Sequence, residues 1–410
     1  MPTLSSTESV AVVNNASSFP GATKAPGAIV MGGDYQGLGI VRSLGRQGVP
    51  VCIIDDEHSI GRFSRYTTHH VKVDDLKDEN RTVDQVIEIG KRLGLQGWVL
   101  FPTREETVAA FAQHRDRLSE YFRVPTPTWE TIRRAWDKRE TYQLAEQLGV
   151  PVPKTWYVTA QTDLTQLPIR FPVAIKPAIK EHFIYATKAK AWRADNWEQL
   201  KELYAKAAAI VGDGEIMIQD FIPGDGQHQF AYCTFFKEGE SVGKLTARRV
   251  RQHPPEFGRA STYVETVDLD ELQAPSEKFL RAINYYGLVE VEYKRDPRDG
   301  RFLLIDVNAR TWGYHTIGAV SGVDFPYMLF ADQIGKPVEK YQAKPGLHWV
   351  RMATDFPTAV VEIMRGRLKI GHYLRTLRDA DTEAVFSTND PLPGLVELGL
   401  IPYLTLKRGF

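Results

Sequence analysis

Residues 289–310 read Val-Glu-Val-Glu-Tyr-Lys-Arg-Asp-Pro-Arg-Asp-Gly-Arg-Phe-Leu-Leu-Ile-Asp-Val-Asn-Ala-Arg. Two alternating apolar/polar runs flank Asp296-Pro297-Arg298-Asp299-Gly300, which predicts two strands joined by a tight reversal. Folded about that turn, Glu292 falls opposite Asp306, and Asn308 shares the face of Asp306 two residues on. Glu290 points the same way as Glu292, but Glu292 makes the better cross-turn pair. Three oxygen-bearing side chains then meet on a sheet that otherwise reads as buried. Buried carboxylates repel one another and are costly to desolvate. A hard divalent cation such as Mg²⁺ relieves both problems. The alternative is a solvent-facing strand edge with ordinary polar residues. Arg310, just past the second strand, adds a cation suited to a phosphate.

Upstream of the hairpin, more cations occupy unusual places. Phe171-Pro172-Val173-Ala174-Ile175-Lys176-Pro177 is an apolar strand with Lys176 near its end. An unpaired lysine there is costly, so it should meet an anion, unless it snorkels from a sheet edge. Lys138 opens a helix that runs from Asp137 to Leu148 and stops at Gly149; Val150-Pro151-Val152-Pro153 then reads as an extended linker. Residues 196–211 form an amphipathic helix, and 215–222 a strand followed by Pro223-Gly224. Arg248–Gly258 reads as a dense cationic loop, either a phosphate clamp or a solvated surface.

The first part of the chain alternates strand and helix. Ala28–Met31 is a short apolar strand, and residues 32–39 form a glycine-rich turn. Residues 40–47 form a helix, and residues 51–54 a second strand ending in Asp55-Asp56. A helix around 83–93 and a strand at 98–101 follow. Such alternation implies a parallel sheet with ligands at the strand ends. A dinucleotide fingerprint needs glycine where Asp34 stands, and from Gly37 the third glycine is replaced by Arg42. The turn, Gly33 included, is then a nest for another anion such as a carboxylate, or a plain packing turn. Arg104 and Glu105 leave the last strand of this half at the ligand-binding edge, although acids there also suit a helix N-terminus.

At 410 residues, with 43% apolar and 25% charged residues, the chain is sized for two to four subdomains of ordinary globular type. Lys plus Arg and Asp plus Glu are equal at 51 each and no long basic block occurs, which argues against a nucleic-acid binder working through bulk electrostatics. Cys52 and Cys233 make neither a disulfide framework nor a zinc spacing. No apolar run has the length of a membrane span, and residues 1–26 read as a disordered tail without signal-peptide features. A cytoplasmic location is expected.

In their order along the chain, the two lysines, the Gln219-Asp220-Phe221-Ile222-Pro223-Gly224 strand end, the arginine segment and the three-oxygen hairpin resemble the ATP-grasp superfamily. The carboxylate–amine ligases, including D-aspartate-ligase-like enzymes, are the nearest resemblance, from about Gly27 to Ala331. It implies an α/β and α+β chain. A Rossmann-like domain (27–125) would precede a lid lobe with linker helices (126–222), a metal-bearing lobe (223–340) and a C-terminal appendage (341–410). By the same resemblance Lys138 and Lys176 bind ATP phosphates. Gln219, Asp220, Phe221 and Ile222 hold adenine, and Asp225 or Gln227 reaches the ribose. Glu292, Asp306 and Asn308 hold Mg²⁺, with Mn²⁺ as the other candidate ion. Arg310, with Arg249 or Arg251, meets the charge on the transferring group. Gly33, Arg104 and Glu105 would face the carboxylate or amine substrate.

Two departures from the family pattern stand out. Asp306 replaces the usual glutamate, and residues 180–190, where a glycine-rich lid loop is common, contain no glycine but carry Lys180, His182, Lys188 and Lys190. The chemistry implied is phosphorylation of a carboxylate by ATP, with release of ADP, then attack by an amine. A nicotinamide-dependent oxidoreductase using the Gly32–Gly39 turn and a non-catalytic ATP-binding regulator are the alternatives. Residues 341–410 are open to several readings: packing on the main body, a homodimer surface, a substrate-side element, or a contact with a membrane surface.

Overall fold

A computed structural model describes residues 25–255, 258 and 260–408, the side chains of 402–408 excepted. The tail expected at 1–26 therefore lies almost wholly outside the described residues. The described residues form three sheets.

The first sheet contains β1 (Ala28–Met31), β2 (Val51–Asp55), β3 (Thr67–Lys72) and β4 (Val99–Pro102), all parallel in the order β3-β2-β1-β4. Helices α1 (Tyr35–Arg46), α2 (Glu79–Leu93) and α3 (Glu105–Gln113) connect and cover it. β1 and β2 are buried on both faces, as continuous apolar runs in a parallel sheet should be. β3 escaped the sequence reading because its Thr-Thr-His-His-Val-Lys pattern is mostly half-exposed.

Three helices lead onward: α4 (Arg115–Ser119), α5 (Trp129–Trp136) and α6 (Lys138–Gln147). The second sheet is a small antiparallel lobe of β5 (Thr155–Tyr157), β6 (Val173–Pro177), β7 (Trp192–Ala194) and β8 (Ile216–Asp220) in the order β5-β8-β6-β7. It carries α7 (Lys180–Thr187) and α8 (Trp197–Val211). The expected lid loop is thus largely a helix, ended by Lys188 at φ 60°.

The large sheet begins with β9 (Gln229–Lys237), β10 (Glu240–His253) and β11 (Ala260–Val267). After α9 (Gln273–Ala282) come β12 (Gly287–Arg295) and β13 (Phe302–Asn308), then α10 (Thr316–Ser321) and α11 (Phe325–Gln333). The C-terminal segment adds β14 (Tyr341–Gln342), β15 (His348–Val350), α12 (Met352–Met364), α13 (Ile370–Arg378), β16 (Thr382–Glu383) and α14 (Leu392–Arg408). The strand order is β13-β12-β9-β10-β11-β15-β16, with β14 on β10. The C-terminal segment is therefore part of this sheet. A common core holds Val30 and Phe101 of the first sheet and Leu38 of α1 with Cys233 and Phe235 of β9 and Trp349 of β15. The opposite face of the large sheet buries Val289, Val291 and Tyr293 against Ile132 and Tyr142 of the linking helices.

Two β-bulges decide where side chains of the large sheet point. From the Arg295–Phe302 pair, an uninterrupted ladder would set Glu292 against Ile305. The register instead shifts between Glu292 and Tyr293, so that Glu292 faces Asp306 and Glu290 faces Asn308. On β10 the register shifts after Arg249: Arg249 faces Val264 and Arg251 faces Tyr263. Their partners are neighbours in sequence, so Arg249 and Arg251 point to opposite faces of the sheet.

Candidate active site

A cleft of about 790 Å³, partly open to solvent, lies between the small lobe and the large sheet. Its apolar wall includes Ala174, Ile222 and Ile305, and its polar wall is cationic: Lys138, Lys176, Lys180, Lys190, Lys294 and Arg249. Against these six cations stand Asp220, Glu292 and Asp306. A buried excess of positive charge is what a polyphosphate needs from its site.

Each cation is placed by local structure. The Asp137 side chain accepts from the Arg139 N–H and caps α6, which starts the helix at Lys138. Lys138 Nζ donates to Asp306 Oδ1. One turn on, Tyr142 donates to the carbonyl of Ile305, the bulge residue, at 2.8 Å. Lys176 Nζ lies 3.1 Å from both Tyr142 Oη and Gln219 Oε1. Lys180, at the first turn of α7, donates to Glu105 Oε1 at 3.0 Å and Asn308 Oδ1 at 2.9 Å, with Asp306 Oδ2 at 3.7 Å. Arg249 pairs with Glu292 at 3.3 Å and donates to Gln229 at 2.6 Å.

The oxygen set of the hairpin is buried and converges. Asn308 Nδ2 donates to Glu290 Oε2 and Glu292 Oε1, both at 2.9 Å, which turns its Oδ1 toward Lys180. Burial would raise the Asp306 carboxyl, but Lys138, Lys180 and Lys190 overcome that and hold it well below the usual carboxylate range. Burial and the adjacent Glu292 push Glu290 up to about 7. Burial also pulls Lys190 down to about 8, against the opposing pull of Glu292. Among the described residues no group of three or more His, Cys, Asp or Glu side chains is arranged to hold a metal. The hairpin set depends on an amide, Asn308, as its third donor, and its two carboxylates are presently drawn to lysine and arginine. Two ionised carboxylates and an amide oxygen are hard donors that fit Mg²⁺ in chemistry.

The other candidates sort themselves by contact. Arg310 Nε lies 3.0 Å from Glu105 Oε1, so Glu105 joins α3 to the lid lysine and to the hairpin's end. Gln219, Asp220, Phe221 and Ile222 line the cleft together. Asp225 does not line it; its carboxylate caps the next turn by accepting from Gln227 N–H at 3.0 Å. Gly33 and Arg104 are already committed within the first domain. Gly33 N–H donates to Asp55 at 2.7 Å, and Arg104 bridges Asp55 at 2.9 Å and Asp56 at 2.6 Å. The glycine-rich turn holds an internal anion in place of an external one: Asp34 accepts from Gln36 and Gly37 at the start of α1. With Asp34 on that helix terminus and Asp55 occupied, a dinucleotide finds neither its pyrophosphate site nor its ribose acid.

Arg251, expected with Arg249 at the transferring group, is not part of the cleft. The bulge at Val250 turns it away from the cleft, and its guanidinium is bidentate to the buried Asp355, at 2.9 and 2.8 Å. It also stacks over Tyr263 and Tyr373. The segment read as an arginine loop is strand as far as His253. We therefore expect Arg249→Ala to lower any turnover at the cleft by about 10²-fold with modest loss of stability. Arg251→Ala should do the reverse, costing about 3 kcal/mol by leaving Asp355 buried and unpaired. Paired turnover and thermal-melting measurements on the two variants check this.

The fold is the ATP-grasp fold of the solved structures it superposes on. No family model matches the chain. A D-aspartate ligase of Enterococcus faecium is 23% identical over 321 residues, covering 75% of this chain and 76% of the relative. Among solved structures, N5-carboxyaminoimidazole synthetase from Staphylococcus aureus, complexed with ADP, superposes with a TM-score of 0.63 at 12% identity. It covers 83% of this chain and 86% of that one. The L-amino acid ligase from Bacillus licheniformis gives a TM-score of 0.59 at 17% identity, covering 76% and 75%. No helix among the described residues is long and apolar enough to cross a membrane.

Proposed function

We propose that this protein is an ATP-dependent ligase that activates a carboxylate as an acyl phosphate, releases ADP, and joins the acyl group to an amine, with amino acids as the leading substrate class. The observation that carries this reading is the cleft itself, where six cations enclose the Glu292–Asp306–Asn308 face of one hairpin. The D-aspartate ligase relative and the L-amino acid ligase neighbour support the choice of amino acids.

In this reading Gln219–Ile222 and the apolar wall hold adenine. Lys138 and Lys176 bind phosphate oxygens, while Lys190 and Arg249 stand across the cleft to stabilise the charge that develops on the transferring group. Glu292, Asp306 and Asn308 would hold Mg²⁺, which supplies charge neutralisation on the phosphates when bound. Asp306, kept ionised by its lysines, is ready to take that part at neutral pH. A substrate carboxylate oxygen attacks the γ-phosphorus and ADP departs. The amine nitrogen then attacks the acyl carbon, phosphate leaves with the C–O bonding pair, and the amine loses a proton to solvent. Arg310 and Glu105, beyond the phosphate end, face this second half of the reaction. No side-chain nucleophile is needed, and the two cysteines are buried.

The test is a panel of small carboxylates and amino acids, assayed for ADP and phosphate, with hydroxylamine added to trap the acyl phosphate as a hydroxamate. Carboxylate-dependent ADP release and hydroxamate are expected. AMP and pyrophosphate as products would reject the acyl phosphate route.

A further inference from the structure

Beyond β15 the chain folds into a helical hairpin whose outer side meets no other part of the described protein. α12 turns Asp355, Thr358 and Ala359 inward, all buried. Its outward stripe is apolar: Phe356 is 54% exposed, Val360 38%, Val361 43% and Met364 82%. These positions repeat at helical spacing and form one face. Between Phe356 and Met364 the single charged residue is Glu362, which lies to the inner side and pairs with Arg365 at 3.4 Å and Arg367 at 3.8 Å. The turn that follows, Arg365-Gly366-Arg367-Leu368-Lys369, exposes all three of its basic residues. α13 continues with Ile370 63% and Leu374 59% exposed, followed by Arg375 and Arg378.

The base of the hairpin is fixed. Arg251 is bidentate to Asp355 and also donates to Thr376 at 3.0 Å. Tyr263 donates to the Thr376 carbonyl at 2.8 Å, and His253 meets Thr358 at 2.9 Å. An apolar stripe held outward by a buried ion pair and its flanking hydrogen bonds, with a turn of three exposed basic residues at its end, is not a packing remnant.

We propose that this hairpin docks the protein on the anionic face of a lipid bilayer. The α12 stripe would lie among the acyl-chain ends of the headgroup region, and the basic turn against anionic headgroups. Charge selects this occupant over a second copy of the chain. In a twofold antiparallel contact the basic turn of each copy would lie against the start of the other's α12, where the one acid, Asp355, is buried and already paired, so the turn would gain no anion there. Nucleic acid would suit the arginines and leave the apolar stripe in water. The inference does not depend on the ligase reading.

The experiment uses the full chain, with vesicles of phosphatidylcholine alone or mixed with phosphatidylglycerol, in co-sedimentation. Binding to the anionic vesicles and not to the neutral ones is expected, weakened by salt at about 0.5 M. Met364→Glu and the double variant Arg367→Glu/Lys369→Glu change exposed side chains and should each weaken that binding by at least about tenfold. Circular dichroism checks that they remain folded. Equal binding of wild type to both vesicles, or none, overturns the proposal. A dimer in sedimentation velocity that Met364→Glu dissociates, without vesicle binding, would show that a second copy covers the stripe.

Discussion

Asp306→Asn should reduce carboxylate-dependent ADP release by about 10²–10³-fold or more while the protein stays folded. The amide keeps the shape of the carboxylate and removes the charge on which the hairpin's oxygen set depends. The variant should also melt lower, because Lys138 and Lys180 are buried and lose the anion they share. The two effects can be separated. Adding Lys138→Met removes one of the stranded ammonium groups and should recover part of the lost thermal stability and none of the activity. Turnover assays and melting curves on the single and double variants make the comparison. Wild-type turnover in Asp306→Asn would remove this residue from the proposed metal set.

The largest stability loss is expected at a site far from the cleft. Asp390 accepts from Arg42 Nε at 2.9 Å, Ser64 Oγ at 2.7 Å and the Arg65 N–H at 2.9 Å. Arg42 and Asp390 side chains are 7% and 2% exposed. Asp390→Ala leaves a buried guanidinium without its anion and should cost about 3–5 kcal/mol. The pH dependence follows from the carboxyl itself. Burial would raise it, but the Arg65 N–H, Ser64 and Arg42 outweigh burial and hold it below its ordinary value. A depressed carboxylate contributes stability above its unfolded pKa and loses it as pH falls through the folded one. The gap in unfolding free energy between wild type and Asp390→Ala should therefore be full at neutral pH and narrow below about pH 4. A gap independent of pH would mean that packing and not charge holds this joint.

Much of the fold was legible because its strands and helices carry strong periodicity. Val289–Asn308 alternates cleanly around a Pro/Asp/Gly turn, and α8 and β8 announce themselves by pattern and by terminal glycine or asparagine. The site was legible as a set of residues, and the turn also gave the Glu292–Asp306 pairing that the structure shows. The bulges themselves, at Val250 and Ile305, have no glycine or proline to mark them, and the one at Val250 sends Arg251 away from the cleft. Read as a cationic loop, residues 248–258 gave no face to tell Arg249 from Arg251. The short strands β14, β15 and β16 span only two or three residues, too few for any period to show. The commitments of Asp34 and Asp55 to neighbouring N–H groups were hidden for another reason. A turn rich in glycine looks the same in sequence whether its donors wait for a ligand or are already taken by a nearby carboxylate.

The joint at Asp390 has a consequence for how this chain can be cut. Residues 341–410 hang from the end of the sequence like a detachable tag, but Trp349 fills a slot shared by the first and third sheets, and the Asp390 turn bolts back onto α1 and the segment before β3. The two ends of the described chain act as a clasp that closes the body around its core. A shortened protein ending near residue 340 would keep every residue proposed for the cleft and lose the fastening that holds the leading domain against it.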